Sequence, residues 1–131
     1  MKLNVLFSIY AVAAAISCVA YLVFPAFSIT LYGANADPQA TLLFRLAGAL
    51  FGGFGVMAWL GRNAGPSESR DAMVLGLTVS NGLAAVVAFL GAVSGVYNQF
   101  AWGPVVGCAL FAIGFLLLGR SGVSASVPKR D

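Results

Sequence analysis

Between Leu3 and Ala36 the chain carries no charged residue, and none again between Ala72 and Gly119. Only Arg45 interrupts the apolar stretch from Ala40 to Gly61 that lies between them. A helix crossing the ~30 Å hydrocarbon core of a bilayer needs about 20 predominantly apolar residues. The runs therefore divide into four spans, over about residues 5–24, 40–60, 72–96 and 102–119. In hydrocarbon each backbone N–H and C=O must find its partner inside the protein, which favours helices for runs of this length. The expected fold is all-α: an integral membrane four-helix bundle in one domain, residues 1–119, with a disordered cytoplasmic tail over 120–131.

Local signals place the boundaries. Pro25 closes the first span. Asp37-Pro38 opens the second with an acidic cap and a proline at the first helical position. Residues 62–71 (RNAGPSESRD) are a polar connector, and Tyr97-Asn98-Gln99 a short turn. Lys2 followed by an apolar run resembles a signal peptide, but the run continues through Tyr21 to Phe24 and is expected to be a retained first helix.

Orientation follows from the basic residues. Lys2, Arg62, Arg70, Arg120, Lys129 and Arg130 fall in the N-terminus, the 62–71 connector and the tail, and none falls in loops 25–39 and 97–101. Both termini are therefore expected in the cytoplasm. Phe24, Phe27, Tyr32, Tyr97, Phe100 and Trp102 would form an outer aromatic belt, with Trp59 near the inner one. The uncharged loop 25–36 carries Phe27, Ile29, Leu31 and Tyr32, too apolar to hang in water. It is expected to lie in the outer interface or to fold down as a lid.

At 60% hydrophobic and 8% charged, the chain lies far from soluble domains, about a quarter of whose residues are charged. Its net charge of +3 is scattered over helix ends, so no nucleic-acid partner is expected; the bilayer is. Histidine is absent, which removes the commonest metal ligand and neutral-pH proton shuttle. Asp37, Glu68, Asp71 and Asp131 all lie outside the apolar cores, against the embedded carboxylate that proton-coupled drug export requires. Cys18 and Cys108 sit singly in apolar runs and are expected to be free thiols. No metal, no cofactor and no catalytic group is expected, and the chain is read as a non-enzyme.

Three residues are candidate ligand contacts: Arg45, Asn81 and Tyr32. Arg45 lies seven residues below Pro38, about 10 Å of helix rise. At that depth it can snorkel to the outer headgroups, pair with backbone carbonyls or Asp37, or meet an anionic group. Asn81 is the strongly polar side chain well inside the third span, suited to an interhelical hydrogen bond or a ligand contact. Small residues mark helix faces for packing: Gly48 and Gly52 on the second span, Gly76, Ser80, Ala84 and Ala88 at four-residue intervals on the third, Gly103 and Gly107 on the fourth. Such stripes let backbones approach closely, within one bundle, between copies of the chain or onto a partner helix.

Phe24-Pro25, Leu31-Tyr32-Gly33, Arg45-Leu46-Ala47-Gly48 and Trp59-Leu60-Gly61-Arg62 together resemble small four-helix bacterial membrane proteins grouped around the DoxX-like set. The resemblance implies a multi-pass bundle in the bacterial inner membrane and carries no catalytic residue. Two functions are expected. The first is an accessory or packing subunit of a membrane complex. The alternative is a binder or carrier of a lipid or quinone, with Arg45 at its polar end beneath the 25–36 loop.

Overall fold

The computed structural model describes residues 2–123. They form helix α1 (Leu3–Val23), a short α2 (Pro25–Leu31), α3 (Pro38–Gly61), α4 (Glu68–Val93) and α5 (Trp102–Val123), with a single 3-10 turn over Gln99–Ala101. No strand occurs among the described residues. Four helices are long and apolar enough to cross a membrane. Of the expected tail, residues 120–123 continue α5 and residues 124–131 lie outside the described residues.

The four expected spans are thus joined by a fifth helix, α2, where a loop was expected. Pro25 ends α1 but also suits the first position of a new helix, because its φ is already helical and its missing N–H has no bond to make. The chain turns at Phe24, and Ser28 Oγ donates to the carbonyls of Ala20 and Phe24, each at 3.1 Å. Those carbonyls also accept from the amides of Phe24 and Ser28, each at 3.0 Å, so the hydroxyl adds a second donor to both and ties the start of α2 to the end of α1. Asp37 caps α3 as expected, its carboxylate accepting from Ala40 N at 2.7 Å. Helix α4 begins at Glu68 rather than 72, because Ser67 Oγ caps Arg70 N at 3.3 Å and Glu68 and Asp71 complement the helix dipole. It ends at Val93 rather than 96, in a turn where Gly95 takes φ +74°.

Packing divides the molecule into two hairpins. Helix α1 runs along α3, and α4 along α5, while contact between the pairs is sparse. The hairpins meet firmly at two places. At the end bearing the N-terminus, Leu6, Phe7, Tyr10, Ala58, Val74, Leu77 and Phe115 form a buried core. Its rings meet edge to face, Phe7 with Phe115 at 5.2 Å and Tyr10 with Phe115 at 5.5 Å. Arg70 Nη2 adds a 2.7 Å bond to Asn4 Oδ1 at the same end. At the opposite end Asn98 reaches across from the α4–α5 turn. Its backbone N–H donates to Tyr32 O and its Nδ2 to Leu31 O, both at 2.9 Å.

The glycine faces separate into contact and open space. A methyl group at Gly48 would come within 3.1 Å of Tyr21 and Leu22, and one at Gly52 within 3.0 Å of Cys18 Sγ. These glycines, with Gly55, let α1 and α3 approach closely. A methyl group at Gly76, Gly103 or Gly107 would meet no atom within 4 Å. No neighbour fills those positions, so the four-residue stripe of α4 is not a tight helix–helix seam. Ser80, Ala84 and Ala88 on that stripe border empty space instead.

Candidate functional site

That space lies between the hairpins, bounded by the aromatic core at one end and the Asn98 clasp at the other. It comprises three adjoining cavities of about 270, 180 and 230 Å³ that share Tyr10, Tyr21, Tyr32, Phe51, Asn81, Ala84, Pro104 and Cys108 among their walls. Individually each falls below the roughly 300 Å³ of the smallest drug-sized sites, but their common walls make one composite pocket.

Helix periodicity explains the lining. On α1, Tyr10, Ala14, Ser17 and Tyr21 recur at intervals of four, three and four, one helix face. On α3 the matching face is Phe44, Ala47, Phe51 and Phe54. Asn81, Ser80 and Ala84 come from α4, and Pro104, Gly107, Cys108 and Phe111 from α5. Helix α2 contributes no turn of its own, but the residue that follows it, Tyr32, closes the clasp end of the pocket.

The polar atoms in this apolar wall are few and specifically held. The Tyr21 and Tyr32 hydroxyls meet at 3.2 Å, linking α1 to the residue after α2. Asn81 is 5% exposed and donates from Nδ2 to Leu77 O at 2.8 Å, while its side chain also faces the Tyr10 hydroxyl. Ser17 Oγ donates back to Ala13 O at 3.0 Å, and Ser80 Oγ to Leu77 O at 3.3 Å. Rings brace the tyrosines: Tyr21 stacks edgewise on Phe44 at 5.1 Å and Phe51 at 5.8 Å, and Tyr10 on Phe111 at 5.0 Å. The arrangement offers neutral hydrogen-bond donors and acceptors inside an aromatic box, with no charge in its walls.

Of the three candidate contacts, Tyr32 and Asn81 come together in this pocket and Arg45 does not. Arg45 is exposed and lines none of the three cavities. It lies seven residues from Gly52, on the face of α3 that borders the outside of the α1–α3 seam. Phe44, one residue earlier and about 100° around the helix, faces the pocket. Tyr10, Tyr21 and Cys108 are pocket residues that the sequence reading left unassigned; the Tyr10–Ser17–Tyr21 spacing is the signal that marks their face. The cysteines occupy different environments, both free: Cys108 lines the pocket and Cys18 packs on Gly52 at the outer seam. Among the described residues no group of three His, Cys, Asp or Glu is placed to hold a metal ion.

The class is therefore a small all-helical protein with four helices able to span a membrane, built around an uncharged internal pocket. The chain belongs to the family described as Domain of unknown function (DUF8292), whose model matches residues 1–120. No curated protein and no solved structure matches it.

Proposed function

We propose that the protein is a non-enzymatic, multi-pass membrane protein that holds a hydrophobic small molecule between its two hairpins. The supporting observation is the internal pocket: four tyrosines, Tyr10, Tyr21, Tyr32 and Tyr97, and the buried Asn81 amide set in a mostly aromatic and aliphatic wall. Pockets of this make-up, mostly apolar with a few fixed polar groups, suit ligand binding. The bilayer is its solvent, in the bacterial inner membrane, with both termini cytoplasmic as the basic residues direct. The polar contact in this reading passes from Arg45 to Asn81 and the tyrosines, and Arg45 snorkels to the outer headgroups.

Mass spectrometry of the protein purified in mild detergent tests the reading. A stoichiometric small molecule is expected with the wild type and its loss with Asn81→Leu. Protein that carries nothing, or only a polypeptide partner, would count against it.

The accessory-subunit reading has its own support. An open groove of about 500 Å³ runs outside the α1–α3 seam, lined by Ala11, Ala15, Gly52, Gly55, Val56 and Trp59 among others. Its small residues suit a partner's transmembrane helix, and a like kinship with the DoxX-like set would fit either role. Pull-down of one stoichiometric membrane partner, lost with Gly52→Phe, is its expected signature.

A further inference from the structure

We infer that the pocket's ligand has an uncharged, oxygen-bearing head, a hydroxyl or carbonyl, and enters sideways from the bilayer; this rests on the binding reading above. The first argument is charge. No Asp, Glu, Lys or Arg lines any of the three cavities, and Arg45 is exposed on the far side of the α1–α3 seam. A phosphate or ammonium head would give up its water there and meet no counter-charge. A hydroxyl or carbonyl gives up much less and finds partners. The Tyr21–Tyr32 contact at 3.2 Å uses one of two phenolic hydrogens, which leaves the other to donate. Asn81 spends one N–H on Leu77 O and meets the Tyr10 hydroxyl with the rest of its amide; whichever group donates there, the pair keeps one donor and one acceptor. Donors and acceptors therefore both face the pocket, as a neutral head requires.

The second argument is access. Phe7, Leu77 and Phe115, all 0% exposed, close the N-terminal end. Tyr32, held by the Asn98 N–H, meets the Tyr97 ring at 6.1 Å and closes the other. The sides are where small residues stand: Ala47 and Ala84 between α3 and α4, Ala13 and Gly107 between α1 and α5. A solute in water meets the closed ends, and one dissolved in lipid meets the open sides. The unfilled stripe on α4 thereby becomes the wall of an entrance.

The intact protein in phosphatidylglycerol nanodiscs tests this, with a few mole per cent of either diacylglycerol or a short-chain isoprenoid quinone added. Native mass spectrometry reads what stays bound; the two arms separate a glycerolipid source from a quinone source of the same head chemistry. One neutral adduct per chain is expected, reduced about tenfold by Asn81→Leu, the scale of one lost hydrogen bond. Gly107→Leu should reduce it likewise by filling a position where no atom lies within 4 Å, with helicity and melting unchanged. Arg45→Leu should leave it intact. A retained phosphatidylglycerol that is lost with Arg45→Leu overturns the neutral head while leaving ligand binding standing. Absence of any adduct in both arms overturns both.

Discussion

Asn98 lies directly against Gly33: a methyl group at Gly33 would stand 3.1 Å from both Asn98 Cβ and Nδ2. Gly33 also has φ +80°, in the left-handed region where a side chain is strained. One residue's lack of a Cβ thus admits the other residue's amide to the carbonyl of Leu31. Asn98→Ala removes that bond and should cost about 1–2 kcal/mol. Gly33→Ala should cost a similar amount through φ and crowding together, about 1–2 kcal/mol. Thermal melting in detergent measures both; an unshifted melt for Asn98→Ala would show that the clasp does not hold the hairpins.

The same clasp makes a topological statement. Asn98 N–H bonds Tyr32 O at 2.9 Å, so loops 32–37 and 94–98 lie at one end. Reporter fusions near Asn35 and Asn98 should therefore report the same side, and fusions in the 62–67 connector and at the C-terminus the other. A reporter at Asn35 that agrees with one in the connector would contradict a four-span insertion.

Bulk should be tolerated unequally among the glycines. Gly48→Leu and Gly55→Leu press on α1, where added methyls would lie 3.0 to 3.3 Å from existing atoms, and overpacking costs about 1–3 kcal/mol. Gly76→Leu projects into open space and gains helix propensity, so it should be neutral or stabilising. Comparable losses at all three positions would mean that α4 is packed against something at Gly76.

This contrast shows what the residues themselves could disclose. Four spans, the Asp37 cap and the Gly48–Gly52 approach follow from local pattern, because length, capping chemistry and missing side chains act within one helix. The α4 stripe did not declare its use. A small residue says that its helix is thin there, and only the neighbouring helix decides whether the space is filled. Arg45 illustrates the same limit: its depth follows from counting along α3, whereas its direction depends on which helices flank α3. Helix α2 stayed hidden because Pro25 serves equally as a stop and as a start.

Phe115→Ala should loosen the N-terminal core. Phe115 is 0% exposed and meets both Phe7 and Tyr10 edge to face. Such truncations cost about 3–5 kcal/mol in soluble cores. The lower part of that range is expected here, since lipid lacks water's preference for burying the ring. Melting in detergent reads the change.

The thiols offer a probe of occupancy. Intact mass should be the same before and after reductant, with two free cysteines. A small, membrane-permeant maleimide should label Cys108 more slowly when a ligand is bound, and Cys18 at an unaltered rate, because Cys108 alone lines the internal pocket. Equal protection of both thiols would point to a global tightening instead of a local occupant.

Two hairpins fastened at their ends and parted between them have mechanical consequences. Close-packed interiors resist compression because no space remains to remove. Here the middle of the molecule holds voids of about 180 to 270 Å³. Hydrostatic pressure favours the state of smaller volume, so it should squeeze this waist before it disturbs either end. The protein is soft where it is hollow, and whatever fills the hollow should stiffen it.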